Sequence, residues 1–184
     1  MTITAQQAQR VFDQADCLFT AEQVDAAFDA MAQQITKILK ESDPLVLCVM
    51  TGGVIPVGQL LPRLNFPLQI DYIHATRYTG KTVGGELHWI VKPETSLKDR
   101  VILVIDDILD EGLTLQAIVE ACKKTGAKEV YSAVLVNKLH DRKSGTTADF
   151  VGLEVEDRYI FGYGMDYKGY WRNAKGIFAE KDSD

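Results

Sequence analysis

The chain has 184 residues, of which 46% are hydrophobic and 25% charged, and its formal net charge is −6. This length suits one domain with a sizeable core, and the acidic balance argues against a dedicated nucleic-acid binder, which needs a basic face to neutralise phosphates. No apolar run approaches the roughly 20 residues of a membrane-spanning helix.

The first part of the chain predicts a helix, a buried strand and a second helix. Residues 20–23 have the form of a capping box, and the apolar residues behind them fall on one helical face as far as Leu39. The run LVLCVM (45–50) is typical of a strand buried on both faces. Residues 51–53 (Thr-Gly-Gly) turn the chain, and residues 54–64 predict the next helix.

The middle of the chain predicts a long hairpin. A strand is expected around residues 68–78, followed by the polar, glycine-rich segment TGKTVGGE (79–86) and the apolar run LHWIV (87–91). We expect the connecting loop, at about 77–98, to be mobile and to have low local stability.

The second half alternates strands and helices. RVILVID (100–106) predicts a second buried strand, residues 113–125 predict a helix with Gly126 as its left-handed cap, and residues 129–137 predict a third strand. The tail from residue 149 predicts shorter strands joined by tight turns. This succession predicts an α/β fold with a central, mostly parallel sheet flanked by helices, and ligands bind such sheets at the carboxyl ends of the strands.

The stretch VILVIDDILDEGLTL (101–115) is the most informative motif. Asp106 and Asp107 follow an apolar strand, and Asp110 and Glu111 follow within one turn. Like charges repel, so this crowding indicates a cation or a polyhydroxyl ligand. Gly112 opens a helix whose free amides and dipole favour an anion, and a sugar phosphate would satisfy both halves of the turn. An acidic helix cap alone would explain Asp110 and Glu111 but not the pair at the strand end.

A P-loop is rejected, and a receiver domain is disfavoured. Residues 79–82 (Thr-Gly-Lys-Thr) resemble a P-loop, but Ala75 stands where that motif requires glycine. The acidic pair is also found in response-regulator receiver domains, but the next strand ends in Asn137-Lys138 without a phosphoacceptor aspartate.

The cysteines and histidines give no metal signature. The three cysteines are scattered and odd in number, so we expect buried, reduced thiols in a cytosolic protein. His74, His88 and His140 lack metal-ligand spacing, and each is expected to be a surface or sheet residue.

Taken together, these motifs resemble the 6-oxopurine (hypoxanthine-guanine) phosphoribosyltransferases. The acidic turn is similar to the family's phosphoribosyl-diphosphate (PRPP) motif, LVNK (135–138) to the end of its next strand, and residues 149–173 to its C-terminal hood. With LCVMTGG (47–53) and the Arg77-Tyr78 pair, the resemblance covers roughly residues 45–178. It implies the type I phosphoribosyltransferase fold in one domain, 1–184, with a core at about 40–155, and a hood formed by the N-terminal segment and about 156–184.

The resemblance also implies the reaction. A Mg²⁺-dependent enzyme would transfer the 5-phosphoribosyl group from PRPP to hypoxanthine or guanine, giving IMP or GMP and pyrophosphate. It would act in the cytoplasm as a homodimer or homotetramer, without nucleic-acid or membrane partners. Two alternatives stay open: a xanthine-preferring enzyme, and a regulator of the same fold that senses PRPP and binds RNA or DNA.

Individual roles follow from the resemblance. Asp110 would act as the general base, Lys138 would donate to the purine O6, Tyr159 would stack on the base, and the backbone of Ile160 would read its 2-position. The other implied sets are PRPP and ribose-phosphate ligands at Asp106, Asp107, Asp110, Glu111, Gly112, Leu113 and Thr114; pyrophosphate ligands at Thr51, Gly52 and Arg172; metal ligands at Asp106, Asp107 and Asp166; and a closing lid at Arg77 and Tyr78.

Some positions depart from the family pattern. Asp106 stands where many relatives carry glutamate. In the segment that would bind the 5′-phosphate (110–114, the phosphate cradle), Glu111 and Leu113 occupy positions that are more often threonine and a polar or basic residue. Arg158 replaces a lysine near the base. These departures bear on the phosphate contacts and on the preference among hypoxanthine, guanine and xanthine.

Overall fold

The structure, a computed structural model, describes residues 3–77 and 87–181. Within these ranges no helix is long and apolar enough to cross a membrane. The helices and strands of the described residues are, in chain order, α1 (Ala5–Gln14), β1 (Asp16–Phe19), α2 (Ala21–Leu39), β2 (Leu45–Met50), α3 (Val54–Leu60), β3 (Gln69–Arg77), β4 (Leu87–Val91), β5 (Val101–Leu109), α4 (Leu113–Lys124), β6 (Glu129–Leu139), β7 (Phe150–Glu156), β8 (Ile160–Phe161) and β9 (Ile177–Ala179).

A six-stranded sheet forms the centre of the molecule, in the order β4-β3-β2-β5-β6-β7. Neighbouring strands are parallel except for β3 and β4, which form an antiparallel pair. The predicted α/β class with a mostly parallel sheet is therefore confirmed. The carboxyl ends of β2, β5 and β6 lie side by side at one edge, which is where a ligand site is expected.

The central strands are apolar on both faces because helices cover both. Leu103 and Ile105 of β5 pack in one core with α2 and α3, and Ile102 and Val104 pack in a second core with α4. Successive side chains of a strand point to opposite faces, so an uninterrupted apolar run serves both layers.

The helix signals of the sequence are confirmed with small changes of length. The Thr20 side chain accepts a hydrogen bond from the backbone N–H of Gln23, and the Gln23 side chain accepts one from the backbone N–H of Thr20, as the capping box predicts. Gly126 has φ +87°, which is the left-handed conformation expected after α4. The helix predicted over 54–64 is wrong in its last part, because α3 ends at Leu60 and a 3₁₀ turn follows.

The acidic pair lies inside a strand rather than after it. The predicted strand over 100–106 is too short, because β5 continues to Leu109 through pairs such as Ile108 with Val136 on β6. Asp106 and Asp107 are thus held at fixed positions by the sheet ladder.

A second, antiparallel sheet has the order β1-β9-β8 and joins the N-terminal segment to the tail. Neither α1 nor β1 was predicted from the sequence. Cys17 of β1 is exposed, which corrects the expectation of a buried thiol, whereas Cys48 and Cys122 are buried. Cys17 lies on a short strand whose first two residues are exposed, so β1 does not bury both faces.

Candidate functional site

The turn after β2 lies against the acidic pair of β5. Gly52 is buried, and a Cβ added there would come within 2.7 Å of Oδ1 of Asp107 and closer still to its Oδ2. Thr51, its neighbour, is exposed. The peptide bond between Met50 and Thr51 is cis. The predicted pyrophosphate turn and the predicted ribose and metal ligands therefore meet at one place.

The two carboxyl groups of β5 sit in an unfavourable environment for negative charge. Burial, followed by the charge of Asp107, raises the pKa of Asp106 well above its usual value. Burial also raises the pKa of Asp107, against the opposing effect of Arg172. The thiol of Cys48 is affected by the same two acids: burial, followed by the charges of Asp106 and Asp107, raises its pKa to about 11. This is a site where a cation would be stabilised.

Arg172 connects the tail of the chain to this acidic pair. Its Nη2 lies 2.5 Å from Oδ1 of Asp166, and its Nη1 lies 3.8 Å from Oδ2 of Asp107. Nη1 also donates to the carbonyl of Gly164 at 2.6 Å. A planar guanidinium with several donors suits a site for phosphate oxygens.

A cleft of about 300 Å³ follows β5 and is lined by residues 106–115. Gly112 has φ +86° and begins α4, where the amide of Gln116 donates to the Gly112 carbonyl at 2.9 Å. The first amides of a helix have no acceptor within it, and residues 113–115 at the start of α4 line this cleft, so the helix start is suited to bind an anion. Glu111 is exposed, which keeps its charge on the solvent side of this cradle.

The cradle is braced by the loop after β6. Lys143 donates through Nζ to the carbonyl of Leu109 at 2.7 Å and to Oδ1 of Asn137 at 2.8 Å. The amide of Ser144 donates to the carbonyl of Glu111 at 2.8 Å. Burial lowers the pKa of Lys143. These bonds fix the end of β5 relative to the end of β6.

A neighbouring cleft of about 260 Å³ contains the predicted purine residues; it is lined by Asp107, Ile108, Asp110, Lys138, Tyr159, Ile160, Met165 and Asp166. Nζ of Lys138 lies 3.3 Å from Oδ2 of Asp110 and 3.6 Å from Oδ1 of Asp157. Tyr159 is 48% exposed and meets Tyr167 edge to face, with ring centroids 5.2 Å apart. Aromatic side chains in strand-like runs are usually buried in the core. The ring of Tyr159 is exposed instead, so it is available for stacking.

His140 belongs to the site, although sequence reasoning placed it on the surface or in a sheet. Its side chain is only 4% exposed, and its Nε2 lies 2.6 Å from Oδ1 of Asp110. It follows directly after β6, which ends at Leu139. A spacing of 30 residues from Asp110 carries no local signal, and only the parallel pairing of β5 and β6 brings the two together.

The structure gives only partial information on the predicted metal ligands and on the predicted lid residues. Among residues 3–77 and 87–181, no three His, Cys, Asp or Glu side chains converge on one point, and Asp166 is engaged by Arg172. For the lid, Tyr78 lies outside the described residues, and Arg77 is described only as the last residue of β3.

A wider cleft, of about 830 Å³, lies on the surface between α2 and the residues after α3. Its most buried cation, Arg63, is already paired with Asp25 and Asp29. It is not formed by the carboxyl ends of the strands, so the pair of clefts at β5 and β6 is the better candidate site.

Comparison with known proteins finds relatives of this chain in both sequence and structure. A family model described as a phosphoribosyl transferase domain matches residues 15–168. The hypoxanthine-guanine phosphoribosyltransferase of Bacillus subtilis (strain 168) is 33% identical over 161 residues, which are 87% of this chain and 89% of that protein. The hypoxanthine-guanine-xanthine phosphoribosyltransferase of Tritrichomonas foetus is 30% identical over 167 residues, covering 90% and 91% of the two chains. A solved hypoxanthine phosphoribosyltransferase from Staphylococcus aureus superposes with a TM-score of 0.85 at 27% identity, covering 90% of this chain and 91% of that chain.

Proposed function

The chain belongs to the phosphoribosyl transferase domain family, and we propose that it transfers the 5-phosphoribosyl group from PRPP to hypoxanthine or guanine. The products are IMP or GMP and pyrophosphate, so the enzyme serves purine salvage. Relatives named for hypoxanthine and guanine support this substrate class.

One observation carries the proposal. Asp110 lines both the phosphate cleft after β5 and the purine cleft beside it. A sugar phosphate in the first and a purine in the second would therefore meet at this carboxylate. A carboxylate at the meeting point can accept the proton that the purine loses when its nitrogen bonds to the sugar.

On the purine side, Lys138 supplies selectivity. Its ammonium is a donor without acceptor capacity, so it matches the 6-oxo group of hypoxanthine or guanine. The 6-amino group of adenine would place donor against donor, which disfavours that base. Tyr159 would stack on the ring, and the backbone of Ile160 would read the 2-position.

On the PRPP side, residues 110–114, at the end of β5 and the start of α4, would bind the 5′-phosphate, and the Thr51-Gly52 turn with Arg172 would receive the pyrophosphate. Arg172 would absorb negative charge that develops on the departing group. Its present pairing with Asp166 means that pyrophosphate competes with a carboxylate for the guanidinium. Arg77 and Tyr78 would form the lid that closes over the sugar and excludes water.

The residues present fit Mg²⁺. Asp106 and Asp107 offer carboxylate oxygens in a place where burial disfavours their charge, and a bound cation offsets that penalty. Mg²⁺ is usually held by one or two carboxylates plus substrate phosphates and waters, so a preformed cage is not required. When bound, the ion would neutralise charge on the pyrophosphate and orient it. Asp166 would hold a second ion once Arg172 releases it.

We also propose that the enzyme acts in the cytoplasm and as an oligomer. PRPP is a multiply charged molecule that an apolar bilayer excludes, which supports a cytoplasmic reaction. Ile70 and Tyr72, two positions apart on β3, are 55% and 48% exposed; association of copies would bury such side chains, which supports a homodimer or homotetramer.

The test is pyrophosphate release from PRPP and Mg²⁺ with hypoxanthine, guanine, xanthine and adenine offered separately. We expect turnover with hypoxanthine and guanine and none with adenine. Turnover that is highest with xanthine would correct the base assignment. No turnover with any base would refute the proposed reaction and favour a PRPP-sensing regulator.

A further inference from the structure

His140 makes two directed hydrogen bonds from a buried position. Its Nδ1 accepts the amide N–H of Arg142 at 3.1 Å, and its Nε2 lies 2.6 Å from Oδ1 of Asp110. Because Nδ1 is an acceptor, the hydrogen of a neutral ring is on Nε2, and His140 donates to Asp110. The backbone of the loop after β6 therefore sets which nitrogen faces the carboxylate.

The two oxygens of Asp110 have different partners. Oδ1 is bound by His140, and Oδ2 lies 3.3 Å from Nζ of Lys138. Lys138 lines the purine cleft, whereas His140 lines neither of the two clefts as far as the described residues define them. Oδ2 is thus the oxygen on the purine side, and Oδ1 is the oxygen on the protein side.

Lys138 cannot be a constant partner of Asp110 during the proposed reaction. It is shared with Asp157, 3.6 Å away, and it must turn toward the purine O6 when a base binds. His140 has no such second task, because its other nitrogen is held by the backbone. The carboxylate of Asp110 is 45% exposed and would be free to rotate without a fixed donor.

We propose that His140 is a positioning residue for phosphoribosyl transfer, which holds Asp110 by Oδ1 so that Oδ2 faces the proton of the incoming purine. This inference rests on the proposed function and deepens it. His140 touches no substrate and acts only through Asp110. A displacement of about 1 Å at a reacting group can cost on the order of 10²-fold in rate, so one well-placed donor has a measurable effect.

The matched variants are His140→Met and His140→Gln, whose side chains have nearly the same length and differ in the donor group. We expect His140→Met to lower kcat with hypoxanthine by about 10- to 100-fold, with the KM for PRPP changed by less than about twofold, and His140→Gln to restore most of the loss. Equal kcat values in the two variants would overturn the inference, as would an effect confined to KM.

A double-mutant cycle with Asp110→Asn separates positioning from a general structural role. If His140 acts through Asp110, adding His140→Met to Asp110→Asn lowers the residual kcat by less than about twofold. A further loss as large as that in the native background would show that His140 acts by another route. Circular dichroism and melting temperature confirm folding, and His140→Leu replaces His140→Met if the latter does not fold. An inactive native enzyme would refute the proposed function instead.

Discussion

Gly52, in the turn after β2, lies directly against the carboxylate of Asp107 in β5. A Cβ at this position would come within 2.7 Å of Oδ1 and nearer to Oδ2. Gly164 lies beside both residues, since a Cβ added there would clash with the Gly52 carbonyl oxygen and come within 3.1 Å of the Cβ of Asp107. The Asp107 side chain is therefore packed against two glycines, and any larger side chain at Gly52 must displace its carboxylate.

We expect Gly52→Ala to lower transfer activity by at least about 10²-fold, because the new methyl group moves Asp107 away from the proposed metal and ribose. The control is Gly58→Ala, since a Cβ at Gly58 meets no atom within 4 Å in α3. That change should leave kcat intact and stabilise the fold by about 0.4–1 kcal/mol. Steady-state kinetics and melting curves test both, and an active Gly52→Ala variant would show that the close contact is dispensable.

The sequence was sufficient for the apolar parts of the central strands and for the acidic turn, because both depend on local pattern. The apolar run of β2 and the helix N-terminus after Gly112 are visible in a few consecutive residues. The continuation of β5 through Asp106 and Asp107 was not visible, because Asp is a poor strand former. The ladder with β6, which pairs Leu109 with Asn137, overrides that preference.

The other features that were not predicted from the sequence depend on contacts between residues far apart in the chain. β1 pairs with β9, at the opposite end of the chain, and Nη2 of Arg158 donates to Oδ2 of Asp16 at 2.6 Å and to the Glu180 carbonyl at 2.8 Å. Arg158 thereby ties the segment before Tyr159 to β1. His140 was missed for the same reason, because its contact with Asp110 depends on the order of strands and not on a motif.

The general-base assignment predicts a loss of rate without a loss of fold in Asp110→Asn. We expect kcat with hypoxanthine to fall by about 10²–10⁴-fold, while the melting temperature changes little because the side chain is 45% exposed. Asp141→Asn removes the same charge from an exposed residue nearby and should keep native kcat. Unchanged turnover in Asp110→Asn would show that another group accepts the purine proton.

The selectivity assigned to Lys138 predicts a change in base preference for Lys138→Gln. The glutamine amide can act as donor or acceptor, so adenine no longer faces a donor alone. We expect kcat/KM for hypoxanthine to fall by about 10–100-fold, equivalent to 1.4–2.8 kcal/mol of lost transition-state binding, and the ratio of hypoxanthine to adenine turnover to narrow. A ratio that stays as wide as in the native enzyme would assign the selectivity elsewhere.

The acidic pair of β5 predicts a contribution to stability that falls as pH rises. The pKa of Asp106 is raised on folding, so between the usual carboxyl value near 3.8 and the raised value the folded state binds more protons than the unfolded state. The free energy of unfolding then decreases with increasing pH across that window. Above the raised value, the full cost of burying the charge is present.

Asp106→Asn should therefore raise the melting temperature at pH 8 in the absence of Mg²⁺ and PRPP, and the gain should be smaller at pH 5, which is closer to the usual carboxyl value near 3.8. In the native protein the backbone N–H of Asp107 donates to Oδ1 of Asp106 at 2.9 Å. The side-chain oxygen of asparagine can still accept this hydrogen bond. A gain of a few degrees is expected, since about 1 kcal/mol shifts the midpoint by about 2–4 °C in a domain of this size, and transfer activity should fall because a proposed metal ligand is lost. Asp141→Asn, which removes a carboxylate from an exposed residue, is the control, and its melting temperature should not rise in this way at pH 8. An equal gain at both pH values, or a loss of stability at pH 8, would contradict the view that burial of charge at Asp106 opposes folding.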